Sequence, residues 1–328
     1  MQAAVWRRVK PIPLLNNTFF SNDVTVVIPT ICKTDLIDSF KRTLESIDRQ
    51  KPHAIIVITP AGRAESIRKV ATAVSTRIEV VGSTYANKRS QLWLGLEKVK
   101  TEITVLADDD VEWRWDDTAL LHLLAPFANT QTGAVGTRQR VERTSWRNLV
   151  EFLGALYITR RNQETMATSS IDGGLSCLSG RTFAIRTAIV QNDGFRKQYL
   201  DEKWRGCRLN PDDDNCITRW LWSFGYRIRI QSAEEVVVHT TLETTLLKYL
   251  SQCMRWERSR WRHTFTLVTK HPRIWTYVLD SSNQLCLLTH HKKATVVDLG
   301  VILPGTLSLA MDGASDDILL VQEQRVIQ

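Results

Sequence analysis

The regular pattern of this chain begins with an apolar run, Val24-Thr25-Val26-Val27-Ile28-Pro29, which reads as a buried strand ended by proline. Leu36, Phe40, Leu44 and Ile47 then recur at helical spacing and predict a helix over 36–49. A second strand is expected over 54–58, stopped by Pro60-Ala61-Gly62, followed by a helix over 64–75 and a short strand over 78–81. Residues 87–98 form the third helical pattern, with Leu92, Leu96 and Val99 along one side, and 103–107 the fourth strand. Strands and helices alternating through short turns predict an α/β fold, doubly wound around a mostly parallel sheet of nucleotide-binding type.

Past Asp117 the alternation loosens. Helices are expected over 118–127, 148–163 and 216–224, strands over 133–139, 181–185 and 236–239, and a loop over Ser169-Ser170-Ile171-Asp172-Gly173-Gly174. A long helix over 244–263, dense in Arg and Trp, ends the patterned region as a C-terminal amphipathic segment. The expected organisation is an N-terminal arm (1–23), one domain (24–265) and a tail (266–328) without a core of its own.

Composition narrows the partners more than the fold. A chain of 328 residues with 43% hydrophobic and 24% charged positions is an ordinary globular sequence. Its net charge of +8 favours an anionic partner such as nucleotide phosphates or an acidic membrane face. No basic low-complexity arm or nucleic-acid signature accompanies that charge, so nucleic acid is discounted. The six cysteines are scattered with no C-x-x-C pair, which predicts reduced thiols rather than a disulfide frame or zinc site. Arg7, Arg8 and Lys10 precede no long apolar stretch, so a secretory signal is not expected. The best membrane-span candidate, 294–311, contains Asp298 and Pro304 and is rejected.

Three constellations carry chemistry. The strand over 103–107 stops at Asp108-Asp109-Asp110, and three adjacent carboxylates repel one another unless a cation neutralises them. Acids at the carboxyl end of a buried strand sit where open α/β sheets bind ligands, and oxygen ligands suit a hard cation, Mg2+ or Mn2+. An acidic turn capping the next segment is the plainer alternative. The second constellation, Asn210-Pro211-Asp212-Asp213-Asp214-Asn215, resembles a helix start but has more acids than a cap needs. A partly desolvated carboxylate there can serve as a general base toward a hydroxyl. The third is Gln252-Cys253-Met254-Arg255-Trp256, where helical spacing puts an amide, a guanidinium and an indole on one face. A basic amphipathic helix lying on lipid headgroups, with Arg258, Arg260 and Arg262 contributing, is its alternative. Asn87-Lys88-Arg89, opening a helix, adds two cations and free backbone amides as an anion site.

In this order, the first strand with Pro29, D-x-D at Asp108 and Asp110, the acidic motif at Asp212 to Asp214 and Q-x-x-R-W at Gln252 to Trp256 resemble the processive family 2 glycosyltransferases. That group holds the hyaluronan, chitin and cellulose synthases, and the closest look-alikes are fungal polysaccharide synthases. The resemblance runs from about Val24 to Arg262 and implies a GT-A-type fold and inverting, metal-dependent transfer of a hexose from a nucleotide sugar, a UDP-sugar, to a glycan acceptor. It implies that Asp108 and Asp110 hold Mg2+ or Mn2+. Pro29, Lys88, Arg89, Asp108, Gln252 and Arg255 would line the nucleotide-sugar site. The acceptor side would be formed by Ser179, Gly180 and Arg181, in a loop beginning at Leu178, and by Trp256. Asp214 would deprotonate the acceptor, with Asp213 as the neighbouring candidate, and Arg255 would steady the departing diphosphate.

The sequence departs from that pattern at three places. Thr59-Pro60 stands where many relatives carry an acid that contacts the base, the acidic motif lacks a leading Gly or Thr, and no confident transmembrane segment is present. The expected localisation is membrane association with the catalytic domain facing the cytoplasm. A catalytically inactive, glycosyltransferase-like binding or scaffold protein is the competing expectation.

Overall fold

The structure is a computed structural model that describes residues 9–14, 18–32, 36–171, 175 and 177–270, all within the first of the chain's two units, Met1–Arg273. The rejected span at 294–311, Cys286, residues 172–174 of the expected loop and the tail from 271 onward lie outside the described residues.

The amino-terminal half follows the alternation read from the sequence. Strand β1 (Val24–Pro29), helix α1 (Ile37–Asp48), strand β2 (Ala54–Pro60), helix α2 (Ala64–Val74), strand β3 (Ile78–Ser83), helix α3 (Lys88–Leu96) and strand β4 (Ile103–Ala107) succeed one another through short turns. Every residue of β1 and β4 is buried, which is why both read as continuous apolar runs instead of alternating ones. Helix α3 lies directly against the sheet because residue 95 is glycine. A Cβ there would sit 2.5 Å from Val27 Cγ1 and 2.6 Å from Ile58 Cδ1, closer than real side chains approach.

The second half contains β5 (Val111–Trp113), α4 (Ala119–Leu124), β6 (Thr132–Thr137), β7 (Gln139–Val141), α5 (Leu149–Ile171), β8 (Thr182–Arg186), α6 (Thr187–Val190) and α7 (Asp193–Asp201). After them come β9 (Lys203–Trp204), β10 (Cys207–Arg208), α8 (Asp213–Ser223), β11 (Arg227–Gln231), β12 (Val238–Thr240) and α9 (Leu246–Lys270). Seven strands form the main sheet in the order β11-β6-β8-β4-β1-β2-β3. It is mostly parallel, as expected, and β8 alone runs antiparallel to its neighbours β4 and β6. A second sheet, β5-β12-β7, stands beyond the carboxyl end of β4.

The differences from the sequence reading have local causes. Strands β5, β7 and β12 are three residues each, too short for a period to register. The expected strand over 133–139 is β6 plus the first residue of β7, and the one over 236–239 is shifted to β12. Helix α5 runs on to Ile171, so Ser169 and Ser170 are helical. Their hydroxyls bond backbone carbonyls, Ser170 that of Met166 one turn back, which lets a polar stretch continue the helix. Among the described residues Cys32, Cys177, Cys207, Cys216 and Cys253 form no disulfide, and no helix is long and apolar enough to cross a membrane.

Candidate active site

The aspartate triplet is the turn that carries the chain from β4 in the main sheet to β5 in the small one. Its far side is fixed by tryptophans. Trp113 and Trp115 stack at 4.1 Å, the Trp113 indole donates to Thr182 Oγ1 at 3.1 Å, and that of Trp115 to the Val237 carbonyl at 3.0 Å. Within the turn the three acids part company. Asp109 turns inward, accepting from Thr30 Oγ1 at 2.5 Å, with Thr30 itself held just past β1. Asp108 and Asp110 are left toward the cleft, the alternation a D-x-D spacing implies. Asp110 is open to solvent at the cleft mouth, yet desolvation by the surrounding walls, then the charges of Asp108 and Asp109, push it up to about 6 against the pull of Arg181.

Helix α3 brings the first cations. Asn87 caps it by accepting from the Ser90 amide at 3.0 Å, and its own amide reaches Asn210 Oδ1 at 2.6 Å. Lys88 Nζ lies 2.8 Å from Asp108 Oδ1 and 3.2 Å from Asp213 Oδ2, so one ammonium joins both acidic clusters. Burial opposes its charge, but Asp108 and Asp213 outweigh that and hold it well above the ordinary lysine value. The expected nucleotide contact at Arg89 is corrected by the structure. Arg89 is 1% exposed and points the other way, into the protein. Its Nε donates to the Pro211 carbonyl at 3.0 Å, Nη1 to that of Tyr199 at 2.9 Å, and Nη2 to Glu202 Oε2 at 2.8 Å and the Asp212 carbonyl at 3.0 Å.

The second acidic cluster begins helix α8, where carboxylates are favourable against the helix dipole. Asp212 occupies the N-cap position but does not cap. Its backbone is left-handed (φ 67°, ψ 33°), a conformation that costs a non-glycine residue about 1–3 kcal/mol. Its carboxylate is taken by α9, accepting from Arg262 Nε at 2.9 Å and from Ser259 Oγ. Asp213 is committed to Lys88. Asp214 accepts from the Asn215 amide at 2.7 Å, and among the described residues its carboxylate has no ion-pair partner within 4 Å. Desolvation, then Asp213, push it up to about 6, with Lys88 and Arg161 pulling the other way.

The third wall is made by the residues before β8 and by helices α5 and α9. Gly180 lies so close that a Cβ there would stand 3.4 Å from Lys88 Nζ and 3.6 Å from Asp214 Oδ2. The Arg181 carbonyl accepts from the Asp108 amide at 3.0 Å, tying this loop to the aspartate turn. The Arg181 guanidinium donates to Thr240 Oγ1 (3.1 Å) and Gln139 Oε1 (3.3 Å) and lies 5.6 Å from the Trp256 ring centre. Trp256 also stacks on Tyr157 at 5.4 Å, so part of the expected sugar plate is covered by protein. Arg255 is exposed, and its charge, like that of Arg161, opposes the Arg181 cation. Gln252 is half-buried, with an amide oxygen that makes no hydrogen bond. The basic face expected along α9 is partly used up internally, because Arg262 grips Asp212 and Arg260 donates to Tyr157 and Glu257.

The structure thus gathers Asp108, Asp110, Lys88, Asp213, Asp214, Gly180, Arg181 and Trp256 around one cleft at the rim where β1 and β4 end. It takes Arg89 out and buries Pro29 in β1. Tyr157 and Arg161 on α5 are additions. Their i,i+4 spacing inside a predicted helix was the available signal, since it stacks an aromatic and a cation on one face.

Among the described residues no three His, Cys, Asp or Glu side chains form a ready-made metal cage. The donor set nonetheless fits Mg2+ or Mn2+. Asp108 and Asp110 are oxygen donors whose crowding raises Asp110, and such cations commonly take one or two carboxylates and complete their shell with substrate phosphates and water.

Residues 22–259 match the family model described as "Glycosyltransferase like family 2". A "Type 2 glycosyltransferase" of Pyricularia oryzae is 41% identical over 298 residues, covering 89% of this chain and 60% of that protein. An "NDP-glycosyltransferase ltbB" of Aspergillus luteorubrus is 29% identical over 267 residues, covering 78% and 64%. "Hyaluronan synthase 3" of Mus musculus is a more distant relative, 22% identical over 226 residues, covering 67% and 40%. The chain therefore spans three-fifths of the length of the fungal relative from Pyricularia oryzae.

A carboxyl group whose folded value is raised above its unfolded one binds its proton more tightly in the native state. Its stabilising contribution is present below the unfolded value near 4 and is lost as pH rises through about 6. Asp214→Asn should therefore stabilise the ligand-free protein at pH 7 on the order of 1 kcal/mol, after allowance for solvent screening, and should do little at pH 4. Urea midpoints of both proteins at the two pH values measure this, and an equal effect at both would show that Asp214 titrates normally.

Proposed function

The chain belongs to the family 2-like glycosyltransferases, and from that premise we propose that it moves a hexose from a UDP-sugar to a glycan hydroxyl with inversion, in the manner of a polysaccharide synthase. The single observation that carries the reading is Lys88 bridging Asp108 and Asp213, with Gly180 against the same ammonium and the Asp214 carboxylate. A donor-side acid, an acceptor-side acid and a loop open to a sugar meet at one point. The names of the two more distant relatives, one for nucleotide-sugar use and one for polysaccharide synthesis, support the donor class and the polymer-building reading.

In this mechanism Asp214 accepts the proton of the acceptor hydroxyl as its oxygen attacks the anomeric carbon, and the bond from that carbon to the diphosphate breaks on the opposite side. Asp213, neutralised by Lys88, is the poorer base, whereas Asp214 near 6 can take and release a proton around neutrality. Lys88, Arg181 and exposed Arg255 supply positive charge for the departing diphosphate, where preorganised charge is most effective. Asp108 and Asp110 would hold Mg2+ or Mn2+, which supplies charge neutralisation at the leaving phosphate. The exposed edge of Trp256, backed by Tyr157, would carry the acceptor sugar.

A membrane surface is the further partner of this reading. The starts of α5 and α9 are tied by Asn148 Nδ2 donating to the Thr244 carbonyl at 3.2 Å. Around that junction Trp146, Leu149, Leu246 and Leu247 are 79%, 66%, 54% and 80% exposed, with Arg143 and Arg147 lying over nearby aromatic rings. Apolar side chains flanked by cations suit an anionic lipid interface.

Three outcomes are expected. Asp214→Asn should lose transfer on the order of 10²–10⁴-fold while UDP with Mn2+ binds as before, and Arg255→Ala should weaken both, read by sugar transfer beside titration calorimetry. Full transfer by Asp214→Asn would move the base elsewhere, and a wild-type chain without transfer under any donor would favour an inactive scaffold. Mn2+ with UDP should raise the melting temperature of the wild type and leave the Asp108→Asn/Asp110→Asn double variant unmoved, since the repelling acids are its ligands. A wild-type-sized shift in the double variant would remove the metal from these residues. Finally, the protein should float with anionic liposomes at low salt, and Leu246→Ser/Leu247→Ser should sink. Protein that stays at the bottom throughout has no such interface.

A further inference from the structure

We propose that Arg89 and Arg262 are positioning residues that hold Asp212 as a fixed hinge and thereby aim Asp214 at the acceptor, an assignment that rests on Asp214 being the base. The geometry is that of two grips on one residue. From the α3 side, the Arg89 fork donates to the carbonyls of Pro211 and Asp212, the two peptide units leading into Asp213 and Asp214. From the α9 side, Arg262 and Ser259 take the Asp212 carboxylate. Between them the backbone stands at φ 67°, a left-handed conformation that carries a cost for a non-glycine residue and is met here by a grip on either side. The α8 helix starts one residue later, so any relaxation of Asp212 toward an ordinary backbone would swing its first turn and both of its acids.

Arg89 itself is rigid. It is fully buried, bonds Glu202 as well as three carbonyls, and Glu202 is gripped from its other oxygen by Arg219. Four acceptors around one planar fork match a guanidinium and cannot all be met by the three donors of an ammonium. Lysine at this position keeps the charge opposite Glu202 but gives up the hold on the carbonyls. Lys88, the adjacent residue, contacts both acids directly, so this first turn of α3 sets the cleft through one side chain and its backing through the next.

A positioning role separates turnover from binding. Arg89→Lys should lower kcat at least about tenfold, and Arg262→Met about three- to tenfold, while donor KM and the calorimetric affinity for UDP with Mn2+ stay within about twofold of wild type. Asp214→Asn is measured alongside. If it is inactive while both arginine variants turn over at the wild-type rate, the hinge does not aim the base and the assignment falls alone. A loss of UDP affinity in proportion to kcat would also overturn it, because Arg89 would then act on the nucleotide or on folding. Full transfer by Asp214→Asn overturns the base and the hinge together. Arg262 lies on a half-buried face of α9, so if Arg89→Lys fails to fold, Arg262→Met decides by the same split between kcat and affinity.

Discussion

One ammonium group holds the cleft together. Four of the six aspartates in the two motifs are crowded into it, and Lys88 stands between the clusters at hydrogen-bond distance from one acid of each. Like charges this close in a partly desolvated space raise one another and cost folding free energy unless they are neutralised. Lys88 does that for Asp108 and Asp213 but leaves Asp110 and Asp214 short of partners, both pushed up to about 6. The arrangement is consistent with a site that is electrostatically incomplete by itself and is completed by what it binds.

That lysine depends on structure well away from it. Helix α3 can present it only because Gly95 lets the helix lie against Val27 and Ile58. A cation in the first turn of a helix works against the helix dipole, so the carboxylates that face Lys88 compensate its placement as well as its charge. On the other bank, the stacked Trp113 and Trp115 fix where the chain leaves the aspartate turn. The site is therefore built from long-range packing, although its acids, Lys88 and Arg181 all sit in a turn, a loop or the first turn of a helix.

How much of this was legible depends on what each residue answers to. The strands and helices from Val24 to Ala107 obey burial alone, and their apolar periodicity gave them within a few residues. The three-residue strands of the small sheet exist because of cross-strand partners far away in sequence, and no local period marks them. Asp108, Asp110 and Asp214 were readable because clustered carboxylates are conspicuous. Arg89 was misplaced for a physical reason: next to Lys88 at a helix start it looks like a second surface cation, and only Tyr199, Glu202 and Pro211, more than a hundred residues away, turn it inward. The backbone at the head of the acidic motif is left-handed, which glycine adopts freely and Asp212 adopts with its carboxylate anchored to α9.

The reversed strand β8 has a consequence of its own. In a wholly parallel sheet every strand would offer its carboxyl end to this rim, and all contacts would come from the loops that follow strands. Because β8 runs the other way, Thr182 pairs with Ala107, and the loop preceding β8 reaches the rim from the opposite chain direction. The stretch from Ser179 to Arg181 is thus anchored to the aspartate turn by the backbone bond from the Asp108 amide to the Arg181 carbonyl. Side-chain exchanges in that stretch would alter what approaches the cleft without shifting the strand that leads into the aspartate turn. The fold in this way uncouples the stretch before β8 from the strands that carry the acids, so one can change in sequence without moving the other.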